Sequence, residues 1–239
     1  MKYMSLVGAS RAKISNLMSK EKLLSLKEKS ISQIKDEINY VSDNIEEFEA
    51  NSLNYFFKEA QDLYLLADPL DRKVLSSYLL KFDLENIKAI ISAKLLKEEI
   101  KISDRKIEVI NRFVGMTTIN KLDYISLINS NINEIVNFLA ERFSPSLYTQ
   151  DYPKLFNLLE DFYIKNLDNT ITKAGFSISK YLSKENVIYL SYYNDVRVAL
   201  YYLILLENQI NLIRGIIYLK LKNKVELIDK LYESYLFRG

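Results

Sequence analysis

The residue types that catalysis needs are scarce in this chain of 239 amino acids. It contains no Cys and no His, which excludes disulfides, thiol nucleophiles, Cys/His zinc sites and imidazole acid–base catalysis. The acidic pairs Glu46/Glu47 and Glu98/Glu99 are of the type that general acid–base catalysis uses, and we interpret them as solvated helix ends. The sequence therefore indicates no catalytic residue.

Motifs that bind cofactors or metals are missing as well. The chain has no glycine-rich loop of the dinucleotide or P-loop type, and no two Asp residues are adjacent. A di-iron helical bundle needs Glu-x-x-His, which a chain without His cannot supply. We expect no cofactor, no bound metal and no small-molecule substrate, and this sequence does not look like an enzyme on its own.

Aromatic and basic residues raise the question of nucleic-acid binding. The formal net charge is only +2, whereas nucleic-acid binders show a strong basic excess. The tyrosines at 192, 193, 201 and 202 could form a platform on which bases stack, or they could pack in the protein core. Core packing is favoured. We expect no nucleic-acid partner, and a helical RNA-binding module is kept as an alternative.

The strongest pattern is a stretch that occurs twice, at 81–94 and 207–220. A shift of 126 positions places Lys88 on Arg214 and Lys94 on Lys220. The same shift superposes two apolar stripes, each spaced for one helical face. The stripes are Leu84, Ile87, Ile91 and Leu95, and Ile210, Ile213, Ile217 and Leu221. Two helices of one design indicate an internally repeated helical protein.

Helical spacing of apolar residues recurs along nearly the whole chain, and only five Gly and three Pro interrupt it. We predict an all-α fold. The helix that begins at Pro69 either continues to about Leu96 or restarts at Asp83. Helix starts are also predicted at Ser30, Asn44, Pro153 and Asp195. A helix is predicted to end before Gly175, and further helices are predicted at 103–113 and 177–190.

The repeat also predicts the organisation of the chain. We expect two similar helical lobes, 1–115 and 116–239, packed as a pseudo-symmetric helical body. The stretch 113–119, which holds Gly115 and two Thr, is the candidate boundary. The alternative is a reduced third, middle lobe that remains within about 122–191.

No uninterrupted apolar run is long enough to predict a membrane span. The longest uninterrupted apolar run, Val198–Leu206, is about half of what a bilayer requires. Lys220, Lys222 and Lys224 either complement a helix C-terminus or form a small contact for an acidic partner or anionic lipid. We expect a soluble, cytoplasmic protein whose membrane association is peripheral.

The first repeated stretch, from Phe82 to Lys94, resembles the signature of the C-type subunits of archaeal and bacterial A/V-type ATP synthases. The d-type subunits of the vacuolar ATPase are the eukaryotic relatives in that family. Three stretches carry the resemblance. They are Asp83, Asn86, Lys88 and Lys94 in the first, Glu207, Asn208, Ile210, Ile213, Arg214 and Lys220 in the last, and Arg11 with Leu17-Met18 near the start. Family members are longer and have three lobes, whereas only two signature helices are found here.

The resemblance implies a non-catalytic rotor component. It would link the central-stalk rotor subunits to the membrane proteolipid ring and transmit torque in proton- or sodium-coupled ATP synthesis or hydrolysis. Its place would be peripheral, on the cytoplasmic face of the membrane. Lys88 and Arg214 are the candidate partner contacts, and six matched residues are expected to be structural: Arg11, Asp83, Asn86, Lys94, Glu207 and Lys220. An unrelated helical scaffold or adaptor is the alternative.

Two of these structural roles are specific enough to check. Asp83 is expected to cap or brace the start of its helix, and Asn86 to satisfy a neighbouring backbone group.

Overall fold

The computed structural model describes residues 2–97, 119–175 and 194–236. Within these ranges the chain forms ten α-helices and no β-strand, so the all-α prediction is confirmed. The helices are α1 (Lys2–Ser15), α2 (Lys20–Ser25), α3 (Ile31–Glu37), α4 (Ile45–Leu66), α5 (Pro69–Leu96), α6 (Lys121–Asn129), α7 (Ile132–Arg142), α8 (Tyr152–Lys173), α9 (Val196–Leu221) and α10 (Ile228–Leu236). Short 3-10 turns at Pro145–Leu147 and Val225–Leu227 precede α8 and α10.

Several helix ends lie where the sequence predicts them. The Asn44 side chain accepts a hydrogen bond from the Glu47 amide at 3.1 Å and caps α4. Asp195 caps α9 in the same way, through the Arg197 amide at 3.0 Å. Gly175, just beyond α8, has a φ of +85°, which glycine adopts without a steric penalty. Local capping chemistry therefore sets these boundaries.

Helix α5 is continuous, which decides the question that the sequence left open at Asp83. The helix runs from Pro69 to Leu96 with Asp83 near its middle, so a restart there, with Asp83 as the N-cap, is wrong. Backbone amides inside an α-helix are already bonded to carbonyls one turn earlier, and the carboxylate is left for a partner on another helix. The helices predicted at 103–113 and 177–190 lie outside the described residues.

The chain groups into two compact units. The terminal unit combines Met1–Asp68 with Ser179–Gly239, and the central unit is Pro69–Ile178. This grouping differs from two consecutive lobes, because α9 packs with α1 and α4 from the start of the chain. The boundary predicted at 115 lies outside the described residues, and the division into lobes at that point stays a prediction.

Helix α9 is the core of the terminal unit. It packs against α1, α4 and α10, and twelve of its residues are buried. In the described part of the chain, α9 alone is long and apolar enough to cross a membrane by length and composition. More than half of that apolar segment is buried inside the protein, as expected for a helix that has packed neighbours on several sides.

Helices α5 and α8 form the core of the central unit, with α6 and α7 packed on α5. Hydrogen bonds also join α5 to α8 beside the apolar core. Ser77 Oγ donates to Thr170 Oγ1 at 3.0 Å, and the Tyr163 hydroxyl donates to the Tyr78 carbonyl at 3.3 Å. The apolar side chains of this core are fully buried, among them Leu75, Leu79, Ile87, Leu155 and Leu159.

The two signature stripes have the same pattern of burial. In each stripe the first three members are buried and the last is exposed, at 40% for Leu95 and 36% for Leu221. The stripes therefore face the core over their first two turns and leave it at the same position. This agreement supports the alignment of the two stretches that the sequence suggested.

A second repeat, not recognised in the sequence, joins the pairs α2–α3 and α6–α7. A shift of 101 positions places the N-cap Ser19 on Asn120 and the N-cap Ser30 on Asn131. Each unit thus holds one signature helix, one capped pair of short helices and one helix of 22 residues, α4 or α8. In the central unit the signature helix α5 precedes α6, α7 and α8. In the terminal unit the signature helix α9 follows α2, α3 and α4.

Candidate functional site

Asp83, the first polar residue of the α5 signature, is bound to a tyrosine of α6. The Tyr124 hydroxyl donates a hydrogen bond to Asp83 Oδ1 at 2.8 Å, and neither residue is more than 1% exposed. Asn86, one turn further along α5, donates from Nδ2 to the same hydroxyl at 3.3 Å. A buried carboxylate is tolerated when hydrogen-bond donors satisfy it. These three side chains therefore fix α6 against α5.

The protonation state of Tyr124 suits its role as a hydrogen-bond donor to Asp83. Burial raises the pKa of Tyr124 well above its usual value, and the charge of Asp83 raises it further. The hydroxyl thus keeps its proton and remains a donor at neutral pH. Asn86 was expected to bond a backbone group and instead bonds a side-chain hydroxyl, because the backbone groups of α5 are paired within the helix.

Lys94 and Lys220, which the repeat aligns, make the same kind of contact in different units. Lys94 Nζ donates to the carbonyl of Ile128 at 2.6 Å, close to the last residue of α6. Lys220 Nζ donates to the carbonyl of Lys27 at 2.6 Å, two residues beyond α2. The last carbonyls of a helix lack partners within it and lie at its negative end. Each lysine therefore anchors one short helix to a signature helix.

The remaining family-like residues lie in the terminal unit. Arg11 donates from a terminal guanidinium nitrogen to Asn194 Oδ1 at 2.7 Å and so joins α1 to the start of α9. Glu207 lies half-buried on α9. The signature residues thus divide between the units: Asp83, Asn86, Lys88 and Lys94 are in the central unit, and Arg11, Glu207, Arg214 and Lys220 are in the terminal unit.

Lys88 and Arg214, the two candidate partner contacts, have different surroundings although the repeat aligns them. Lys88 Nζ lies 2.7 Å from Glu160 Oε1 on α8, within its own unit. Arg214 is exposed, and it makes no ion pair or hydrogen bond with the residues that the structure describes. Of the two cations, Arg214 is therefore the one left available to another molecule.

Arg214 lies on the wall of a groove in the terminal unit, which we call the Arg214 groove. The groove has a volume of about 270 Å³. It lies between α9, the start of α4 and α10, and its floor includes Phe48 and Ile217, both only 1% exposed. The other lining residues are Ile45, Glu49, Asn211, Gly215, Tyr218 and Leu231.

The partners of Asp83 and Lys88 were missed from sequence. Tyr124 and Glu160 lie 41 and 72 residues further along the chain, and nothing local marks either residue as a partner. The only signal for Tyr124 is its aromatic ring within a short apolar run.

A polar network within the terminal unit was missed as well. Lys13 Nζ lies 2.5 Å from Glu59 Oε2 and 3.0 Å from Asp62 Oδ2. Glu59 also accepts a 2.6 Å hydrogen bond from the Tyr202 hydroxyl. Tyr202 is 2% exposed, so its ring belongs to the core and not to a base-stacking platform. Tyr192 and Tyr193 lie outside the described residues.

The basic residues near the end of α9 have separate roles. Lys220 lies in the last turn of α9, and its ammonium group bonds the carbonyl of Lys27 in the turn that follows α2. Lys222 Nζ lies 5.9 Å from the centroid of the Tyr218 ring, within the range of a cation–π contact. Tyr218 in turn lines the Arg214 groove, which places a second positive charge near that wall.

No group suited to bind a metal occurs in residues 2–97, 119–175 and 194–236, where no cluster of three or more Asp or Glu is found. The polar contacts described above join helices to one another. What this arrangement does chemically is hold the helices of each unit together, and the Arg214 groove is open at the surface of the terminal unit.

Comparison with known proteins identifies a family. The family described as ATP synthase (C/AC39) subunit matches residues 6–184, about three quarters of the chain. No curated protein and no solved structure matches the chain. The matched range contains Arg11, Asp83 and Lys94 but ends before the second signature, at 207–220. Structural support for that second copy comes from Lys220, which donates to a backbone carbonyl as Lys94 does in the first copy.

Proposed function

The chain belongs to the ATP synthase (C/AC39) subunit family, and we propose that it is a part of the rotor. It links the central stalk to the membrane proteolipid ring and has no catalytic activity of its own. Proton or sodium flow turns the ring, and this protein transmits the rotation to the stalk. It lies at the cytoplasmic face of the membrane and is held there peripherally, through the ring.

The proposal rests on the hydrogen bonds that the signature residues make. Asp83, Asn86, Lys94 and Lys220 all bond to another helix of their own unit. Lys94 also lines a pocket of about 450 Å³, but its other lining residues, Ser130, Asn131, Ile132, Asn133 and Tyr152, include no carboxylate. A part that transmits torque must resist deformation, and closely packed, hydrogen-bonded helices transmit strain well. Family membership also favours this function over an unrelated helical scaffold.

Reconstitution tests the proposal. The purified chain is mixed with the central-stalk subunits and with detergent-solubilised proteolipid ring, at low and at moderate salt. We expect it to co-purify with each component separately and to bring both into one complex. Two salt concentrations are needed because contacts between exposed charges weaken with ionic strength. Failure to co-purify with either component at both salt concentrations contradicts the proposal.

A further inference from the structure

The Arg214 groove combines an apolar floor with a positively charged wall. Arg214 and Tyr218 are one helical turn apart on α9, and both are exposed, Tyr218 at 48%. Lys222 is a further turn along and lies against the Tyr218 ring. Asn211 and Gly215 complete this face at helical spacing. One face of a core helix thus reaches the surface with two cations and an aromatic ring.

An exposed arginine and an exposed tyrosine beside an apolar floor are typical of protein interfaces. These two residue types are enriched at interfaces and among the residues that contribute most to binding. The floor residues Phe48 and Ile217 are shielded within the unit. The accessible apolar lining comes from the half-buried Ile45 and Leu231. An incoming apolar side chain would meet these two side chains and a guanidinium at its edge.

The size of the groove favours a side chain of a protein over a free small molecule. Its volume of about 270 Å³ is below the range of roughly 300–1,000 Å³ that is usual for small-molecule sites. A groove of this size suits one or two anchoring side chains of a helix laid across it. Glu49 lines the α4 side of the groove with one negative charge, against the two positive charges of Arg214 and Lys222 on or near the α9 side. The remaining positive charge selects a helix with a carboxylate beside those anchors.

Glycine at position 215 sets the width of the groove. An added Cβ there would lie 2.7 Å from Leu231 Cδ2, so a larger residue would require the Leu231 side chain to move. Leu231 lines the groove from the α10 side. The position of the Leu231 side chain, and with it one wall of the groove, depends on this contact.

We propose that the Arg214 groove receives an acidic helix of the central stalk, whose apolar side chain enters the groove while its carboxylate pairs with Arg214. This inference rests on the proposed function and deepens it, because it names the surface and the chemistry of the partner. The aligned Lys88 is paired with Glu160 in the central unit and is not part of this groove.

The test measures binding of the purified central-stalk subunits to the intact chain and to charge-reversal variants. Arg214→Glu should weaken binding at least about tenfold, and Lys222→Glu by a smaller factor, because an anchor arginine contributes more than a peripheral charge. Tyr218→Ala should also weaken binding. Lys58→Glu is the matched control, since Lys58 is exposed on α4 of the same unit and does not line the groove. It should bind as the wild type does.

The outcomes separate this inference from the proposed function. If the wild type binds the stalk and Arg214→Glu binds equally well, the groove assignment is overturned and the rotor function stands. If the wild type does not bind the stalk, both are overturned. Sedimentation of the chain alone provides a third outcome. A dimer that Arg214→Glu dissociates would make a second copy the occupant and overturn the stalk assignment. Thermal melting of each variant shows that it is folded.

Discussion

The Tyr124 hydroxyl donates a 2.8 Å hydrogen bond to the buried carboxylate of Asp83, across 41 residues of sequence. It joins α6 to α5, and Asn86 supports it from the next turn of α5. This contact shows that Asp83 and Asn86, two of the signature residues of α5, bond to a neighbouring helix.

Removing that hydroxyl should destabilise the protein. Tyr124→Phe takes one donor away from a buried carboxylate, and we expect the free energy of unfolding to fall by about 1–3 kcal/mol. Urea unfolding followed by circular dichroism measures the change. Tyr152→Phe is the matched control, because its hydroxyl bonds Asn133 at an exposed site and its loss should change stability by less than about 0.5 kcal/mol. Equal effects of the two substitutions would contradict the brace.

The aligned lysines should have similar effects on stability. Lys94→Met and Lys220→Met keep an unbranched side chain but remove the donor to the carbonyl of Ile128 or Lys27. We expect each to lower the free energy of unfolding by about 1–2 kcal/mol, because a charged hydrogen bond at a helix end is lost. Calorimetry or urea titration measures both. If only one substitution had an effect, the functional equivalence of the two signatures would be wrong.

The contact between Gly215 and Leu231 is open to a double-mutant cycle. Gly215→Ala gains about 1 kcal/mol of helix propensity but brings the new Cβ against Leu231. Leu231→Ala removes the clash at the cost of a packed side chain. We therefore expect Gly215→Ala to be more favourable in the Leu231→Ala background than in the wild type. Additive changes in unfolding free energy would show that α10 does not depend on this close approach.

Stability should fall at alkaline pH. Burial raises the pKa of Tyr232 to about 12, so above about pH 10 an unfolded tyrosine releases a proton that the folded one keeps. The unfolded state then binds fewer protons, and the stability present below about pH 10 is lost as the pH rises towards the folded-state pKa. Unfolding free energies measured from about pH 8 to 12 should decline less steeply for Tyr232→Phe than for the wild type. Equal slopes for Tyr232→Phe and the wild type would contradict this prediction.

Local features of the fold could be predicted from sequence because their causes are local. Asn44 and Asp195 cap helices through amides two or three residues away, and the buried stripes follow from helical spacing. Which helices belong to each unit could not be predicted. That grouping depends on α9 packing with α1 and α4, which are far from α9 in the sequence. The same holds for Asp83, whose partner is on another helix.

The two candidate contact residues illustrate this limit. Lys88 and Arg214 occupy the same position in two aligned stretches, and nothing in either stretch distinguishes them. The difference arises on the neighbouring helices: Glu160 of α8 lies opposite Lys88, whereas a groove opens beside Arg214. Only the packing of the helices decides which cation stays available.

Coupled ion transport is the most direct test of the rotor function. The ATP synthase is reconstituted into lipid vesicles with and without this chain, and the membrane potential generated on ATP addition is recorded. If the chain carries rotation from stalk to ring, vesicles without it should hydrolyse ATP but build no potential, and adding the chain back should restore it. A full potential in vesicles that lack the chain would contradict the account.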